Sequence, residues 1–586
     1  MNGAQISSRL MRFGTFEIDL QSRELRKHGL RLRLEEQLFQ ILEMLLQRGG
    51  QVVTRGTLRE RLWPDTHVGY DHSLNTAINK LRNLLGDSAQ SPRFVETVPR
   101  MGYRFIAPVV KPERRASAVE KKMMAVLPFE NLSGNAEQEY FADGLTEEMI
   151  SHLGQLQPKR LGVIARTSSI QYKATKKTIG EIAQELKIDY VLEGSVRRAG
   201  RQVRITAQLI EARDQTHLWS GSYDRDLRDV LGVQADVARQ IGTALAIELL
   251  PEDSSKVASF DADAHESYLR GRFYFGQRTE EGLKKAIASF EAALSIEPRC
   301  SRSLSGIADS SGLLCWFGAL SPREAGERGA QASARAIEID PSLSEPHASM
   351  GLVKFWYEWD WQAAEEEFRH AIELNPSYAS AHQWYASYLN AMGRLEEASL
   401  EHRRARELDP HSLMLNLNAA DPYFYGRQYE RAIERVRTVL EQEPRFLPAL
   451  FNLGRAYVQK EMYDEAIGAF EQAVQFSGNR EGKPALAHVY GLAGKVDEAR
   501  SILKEVLENT AGRYVASPMI ARIYLGLGEI DRAFEWLKKG VDERSYWNVF
   551  LQMDPVYDPL RNDPRFRNLL MEIGLTPSEK LRARAV

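Results

Sequence analysis

Few residues in this 586-residue chain are spaced for covalent chemistry. Glu147 and Glu148 form a carboxylate pair, but adjacent helical residues project about 100° apart and cannot flank one scissile bond. They read instead as a solvated helix start, where acidic side chains favour the dipole, and Asp143-Gly144 reads as a turn. Gly491, Gly494 and Lys495 resemble parts of a phosphate loop without its spacing or its Ser/Thr. They read as an inter-helix turn equivalent to those at Gly393 and Gly528. Cys300 and Cys315 lack metal-ligand spacing and read as reduced, buried thiols. His347, His370, His382 and His402 form no ligand cluster and read as surface positions. No nucleophile elbow, metal motif or nucleotide fingerprint occurs, so neither catalysis nor a cofactor or metal is expected.

Recognition chemistry is better placed. Between Asp71 and Phe105 the chain reads as a helix followed by a tight hairpin. Ser73 can cap the helix and Gly86 can end it in a left-handed conformation. Leu74, Ile78, Leu81 and Leu85 make one apolar stripe. His72, Thr76, Asn79, Lys80 and Asn83 cluster opposite, with Arg82 on the flank. An outer face of amide, hydroxyl and basic groups without a carboxylate suits base edges and phosphates in a major groove. Alternation in Phe94–Val98 and Tyr103–Phe105, around Pro99 to Gly102, signals the hairpin. It would act as a wing with Arg100 and Arg104 at or near its tip.

These residues resemble the OmpR/PhoB-type winged-helix domains, in detail the CadC-like regulators that carry the domain N-terminally. The resemblance covers about residues 10–108. It runs through Phe13–Asp19, Arg23–Leu25, Gly29–Leu32, Leu34–Leu46, Val52–Leu58, Leu62–Pro64, Leu81-Arg82, Thr97-Val98 and Gly102–Phe105. The family usually has an acidic residue at the position of Asn75 and an Arg at that of Pro99. The resemblance implies double-stranded DNA as partner. Thr54 and Arg55, at the start of the second helix, would contact phosphate. His72, Ser73, Thr76, Asn79, Lys80, Arg82 and Asn83 would serve the major groove, and Arg100, Tyr103 and Arg104 the wing.

Charge is divided accordingly. The first 122 residues hold 21 Lys/Arg against 13 Asp/Glu, whereas the whole chain is −3, so the remainder is strongly acidic. A basic head on an acidic body fits a DNA-binding module joined to something else. Residues 109–122 read as a charged linker. With no secretory signal and no apolar run of membrane-spanning length, the expectation is a cytoplasmic protein without a membrane partner. No receiver domain is expected ahead of the winged segment.

Residues 123–250 read as a compact α/β domain. They resemble the TolB-N-terminal-like (FlgO-like) domains through Val126–Asn131, Phe141–Glu148, Tyr190–Ser195 and Leu218–Ser220, with a closing helix over 230–249. Residues 260–545 repeat: Ala364, Ala398, Ala432, Ala466, Ala499 and Ala533 are 33 or 34 residues apart, and Pro376, Pro410 and Pro444 keep a step of 34. This period and its small–Tyr…Ala…Phe…Pro layout resemble tetratricopeptide repeats, about eight of them, followed by a cap and tail over 546–586. The aromatic run Phe355–Trp361 reads as core and inter-repeat packing.

The fold class expected is therefore multidomain: an N-terminal α+β winged helix-turn-helix, an α/β middle domain and an all-α solenoid. The function expected is a sequence-specific transcriptional regulator. Its further partners are a protein, peptide or small ligand on the concave face of the repeats and RNA polymerase. The alternative is an interaction scaffold whose winged domain binds protein.

Overall fold

The computed structural model describes residues 10–13, 16–19, 23–27, 30–32, 34–48, 50–63, 70–107, 121–135, 138–156, 160–226, 233, 236–237, 240–241, 243–245, 261–477, 482–508 and 514–576. They fall into two units, Met1–Glu120 and Lys121–Val586. The linker and the closing helix expected over 230–249 lie wholly or largely outside the described residues, as does the tail beyond 576.

In the first unit, β1 (Leu10–Phe13), β2 (Phe16–Asp19), β3 (Glu24–Lys27) and β4 (Leu30–Leu32) form an antiparallel sheet in that order. Then follow α1 (Glu36–Gln47), β5 (Val52–Thr54), α2 (Arg55–Leu62), α3 (Tyr70–Leu85), β6 (Val95–Val98) and β7 (Gly102–Phe105), with a second sheet ordered β5-β7-β6. Four phenylalanines join the two sheets. Phe13 lies 5.5 Å from Phe16 and 5.0 Å from Phe105, and Phe94 lies 5.6 Å from Phe16, spacings at which aromatic pairs attract. The α3 stripe of Leu74, Ile78, Leu81 and Leu85 is buried against this core.

In the second unit, β8 (Lys122–Val126), β9 (Glu130–Asn131), α4 (Glu139–Leu156), β10 (Leu161–Val163), α5 (Arg166–Ser169), α6 (Ile179–Leu186), β11 (Tyr190–Ala199), β12 (Gln202–Glu211) and β13 (Thr216–Asp226) build the middle domain. The sheet runs β10-β8-β11-β12-β13, parallel among its first three strands and antiparallel beyond. Strand periodicity sends Met124 and Val126 to the face packed by α4, and Ala125 and Leu127 to the face packed by α6.

Eight antiparallel helix pairs follow among the described residues, from Ala262–Gly276 with Glu280–Ile296 to Ser517–Gly526 with Ile530–Asp542. Small residues allow each pair its close approach. A Cβ on Gly271, Gly351 or Gly454 would stand 2.5–2.6 Å from the ring of Phe290, Phe368 or Phe470, so only hydrogen fits. The turns at Gly393, Gly494 and Gly528 all have φ of 74–77°, which glycine adopts without strain.

The second unit departs from the sequence reading in three places. Asp143 and Gly144 lie inside α4, not in a turn: Asp143 is buried, with Lys173 Nζ 2.6 Å away, and Gly144 meets Leu269. Glu147 and Glu148 are not solvated. Glu147 pairs with Arg272, and Glu148 is buried beside His265 at 3.0 Å and Arg302 at 3.3 Å. Burial opposes ionisation of Glu147, but Arg272 and Arg166 outweigh it and hold the carboxyl below its ordinary value. Thus α4 is charged where it docks on the first repeat helix, an interface that local sequence does not reveal. His347, His382 and His402 are buried rather than on the surface. His347 and His382 meet Glu367 and Glu401 of the partner helix, and burial pushes His402 down to about 3.

The cap also does more than close the last repeat. Arg427 donates to Asp558, and Arg455 and Arg522 donate to Asp554 at 2.9 and 2.7 Å. Trp361 Nε1 donates to the Ile573 carbonyl, and Trp359 and Trp361 pack on the terminal core. The cap therefore ties the third repeat to the last. Burial opposes ionisation of Asp554, but Arg522 and Arg455 hold its carboxyl below its ordinary value. Asp554→Ala leaves two guanidiniums without their carboxylate. The expected cost is about 3–5 kcal/mol in denaturant unfolding, and a loss under about 1 kcal/mol would show that the cap is not fixed this way.

Candidate nucleic-acid interface

Helix α3 positions the candidate reading face. With the leucine stripe turned inward, His72, Ser73, Asn75, Thr76, Asn79, Lys80 and Asn83 are all exposed. Ser73 does not cap the helix as expected, because α3 begins three residues earlier, at Tyr70. Thr76 Oγ1 donates to the His72 carbonyl at 2.9 Å, leaving its oxygen lone pairs outward. The Lys80 ammonium is 3.3 Å from Glu35, with both side chains more than half exposed. Such a surface pair contributes roughly 0–1 kcal/mol and is readily exchanged for phosphate.

The helix ends as expected at Gly86, whose φ is 66°. The next residue, Asp87, then organises the path to the wing. Its carboxylate accepts the backbone N–H groups of Ser88, Arg93, Phe94 and Val95 at 2.7–3.1 Å. Partial burial would raise its pKa, but these donors stabilise the anion and keep it below the ordinary value.

Arg82 is not available to DNA. It is buried and donates to the Val95 carbonyl at 2.8 and 3.2 Å and to Thr97 Oγ1 at 2.8 Å, bracing α3 against β6. The reading that put Arg82 on the DNA-contacting flank is corrected: a flank position on the helical wheel faces the wing strand once the hairpin packs beside the helix. Tyr103 is likewise buried and turned inward. Its hydroxyl donates to Asn75 Oδ1 at 2.7 Å, and Arg55 Nη1 donates to the same oxygen at 3.2 Å. Asn75 thereby connects α2, α3 and β7. The position of Asn75 one turn before Asn79, on the outer face of α3, is the sequence signal for this role.

At the N-terminus of α2, Thr54 accepts from the Thr57 N–H at 3.1 Å, and the Arg55 N–H bonds to the Met101 carbonyl in the wing turn. A Cβ on Gly102 would fall 2.1 Å from the Val53 carbonyl oxygen, so β5 and β7 can pair there only through glycine. Arg100 occupies the turn with φ 62° and is exposed. Arg104 is not at the tip; it lies in β7, paired with Glu96 at 2.6 Å. The outer face of α3, the Thr54–Arg55 helix start and Arg100 thus present hydrogen-bond donors and positive charge from one rigid unit.

Asp87→Asn tests the α3-to-wing joint. The variant should lose about 1 kcal/mol of stability at neutral pH. Because the native pKa is depressed, the wild-type contribution is present above the ordinary Asp range and lost as pH falls through the native value. Denaturant titrations from pH 7 to pH 3 should therefore converge for the two proteins at the acid end. A constant gap across that range would contradict the assignment.

Residues 29–105 match the family described as "Transcriptional regulatory protein, C terminal". Residues 120–239 match "HilA/YgeH-like transcriptional regulator, second domain", and residues 417–481 match "Tetratricopeptide repeat". The chain is 34% identical over 290 residues to a putative adenylate cyclase 3 of Rhizobium meliloti, covering 47% of this chain and 42% of that protein. It therefore spans less than half the length of that relative. It is 22% identical over 413 residues to the transcriptional regulator HilA of Salmonella typhimurium, covering 70% of this chain and 72% of that protein. The DNA-binding domain of Klebsiella pneumoniae RstA, solved in complex with the RstA box, is 33% identical with a TM-score of 0.16, covering 17% of this chain and 97% of that one. The chain carries an N-terminal OmpR/PhoB-type winged-helix domain, a HilA-like middle domain and C-terminal tetratricopeptide repeats.

Proposed function

We propose that this chain is a sequence-specific DNA-binding transcriptional regulator. The observation that carries the reading is the outer face of α3, where amide, hydroxyl and ammonium groups stand exposed on a helix braced from behind by Arg82. An α-helix fits the major groove, where Asn can pair with adenine and Lys with guanine or phosphate. In this reading Asn79 and Asn83 contact base edges, with His72, Ser73 and Thr76 beside them. Lys80, Thr54, Arg55 and Arg100 contact the phosphate backbone. Arg82, Asn75 and Tyr103 position these groups without touching DNA, and Arg104 stiffens the wing through Glu96.

The reading assigns no reaction to the chain. Its target is chromosomal DNA in a bacterial cytoplasm, with RNA polymerase as a functional contact. Among the described residues no helix is long and apolar enough to cross a membrane. The repeats and the middle domain docked on them form the receiving part, which takes a protein, peptide or small ligand.

Fluorescence-anisotropy titrations of the full chain on duplex DNA test this directly. Lys80→Ala combined with Arg100→Ala should weaken binding to all sequences and flatten the slope of log K against log salt by about 2, one unit per phosphate contact. Asn79→Ala should cost about 1–3 kcal/mol on the preferred site and relax preference at one base pair. Unchanged affinity and slope in the double variant would exclude the proposed interface.

A further inference from the structure

The second unit holds a partly open cavity of about 1530 Å³ between the middle domain and the inner side of the repeats, larger than the ~300–1,000 Å³ of ordinary ligand sites. Its cationic wall residues are paired with carboxylates, with one exception. Arg272 pairs with Glu147, Arg302 with Glu148, Arg455 with Asp554 and Lys483 with Glu505, while Arg166 lies 3.8 Å from both Asp143 and Glu147. The Arg278 guanidinium makes no ion pair or side-chain hydrogen bond among the described residues. It lies over the Phe275 ring, 4.2 Å from the centroid. Arg278 is solvent-exposed; desolvation by the surrounding groups lowers its pKa, Asp309 opposes that without an ion pair, and the neighbouring Arg272 adds to the lowering.

The unpaired groups on the wall have a common character. Arg272 Nε and Trp356 Nε1 are buried N–H donors without a hydrogen-bond acceptor, Arg166 Nε has only the Glu147 carboxylate at 3.8 Å, and the hydroxyl of Ser305, a residue only 3% exposed, has no hydrogen-bond partner. No unpaired buried amide oxygen lies on the wall among the described residues. Unpaired donors on the same wall as an unmatched guanidinium favour an acceptor that carries negative charge. Part of the surface is aromatic: Tyr378 and Trp384 line it, as does Trp316, which is 40% exposed. Asp309, Asp409 and Asp421 also face the cavity, with carboxyls that burial pushes up to about 6, 6 and 7. Their residual charge opposes a polyanion such as a nucleotide, whereas a single carboxylate matches the Arg278 guanidinium, unpaired among the described residues, in charge and in its two-pronged geometry.

We propose that this cavity binds a small organic monoanion, an aromatic body bearing one carboxylate, with Arg278 receiving the carboxylate and the aromatic wall receiving the ring. The assignment gives a ligand class to the receiving role proposed for the repeats. It is read by binding alone, so it stands or falls separately from DNA recognition.

Isothermal titration of the full chain with 1-naphthaleneacetate and with its neutral amide, 1-naphthaleneacetamide, provides the test. The acid should bind at one molecule per chain and at least about tenfold more tightly than the amide. Arg278→Gln should bring the acid down to the affinity of the amide without changing amide binding or Tm, and Arg278→Lys should keep part of the preference. Absence of saturable acid binding, equal affinity for acid and amide, or a preference surviving in Arg278→Gln would each overturn the proposal.

Discussion

The winged unit depends on one brace, the buried Arg82 guanidinium held between α3 and β6. A guanidinium in a protein interior needs acceptors for its donors, and here the Val95 carbonyl and Thr97 hydroxyl take those of Nε and Nη2. That requirement sets the distance and rotation of the wing relative to the helix. Asp87 fixes the intervening chain from the other side through four backbone donors. With both in place, Asn79, Lys80 and Arg100 are displayed from a frame that need not reorganise on binding, which lowers the entropic cost of recognition.

The second unit relies on the opposite device. Where the middle domain docks on the first repeat, the contact is made with charge: Glu147 with Arg272, Glu148 with His265 and Arg302, and Arg198 with Glu266. Ser168 Oγ meets Asp409 at 2.5 Å and accepts the His411 N–H at 2.9 Å, adding a second anchor on a later inter-repeat turn. Buried ion pairs add little net stability but are costly to break singly. They make the register of the middle domain on the repeats specific, and that register bounds the cavity. The cap adds Tyr546, Trp547 and Phe550 to the cavity wall and ties the third repeat to the last.

Much of this was legible in the sequence because it depends on local period. The α3 stripe, the Pro99–Gly102 hairpin and the 34-residue repeats follow from spacing, and the exposed face of α3 follows from that stripe. What escaped depends on contacts between residues distant in sequence. Arg82 looked accessible until β6 was placed beside it, and Arg104 looked terminal until β7 was paired with β5. Glu147 and Glu148 looked solvated because their partners, Arg272, His265 and Arg302, lie more than 100 residues away. Arg278 carried no sequence signal, since being unpaired is a property of everything around it.

The central claim is that α3 reads base sequence. Selection of bound duplexes from a random pool, carried out in parallel with the full chain and its Asn79→Ala variant, tests it most directly. The account predicts that the wild-type chain enriches a defined motif and that the variant enriches the same motif with one position relaxed. Recovery of the random pool without enrichment, or the same motif at full stringency from both proteins, would contradict it.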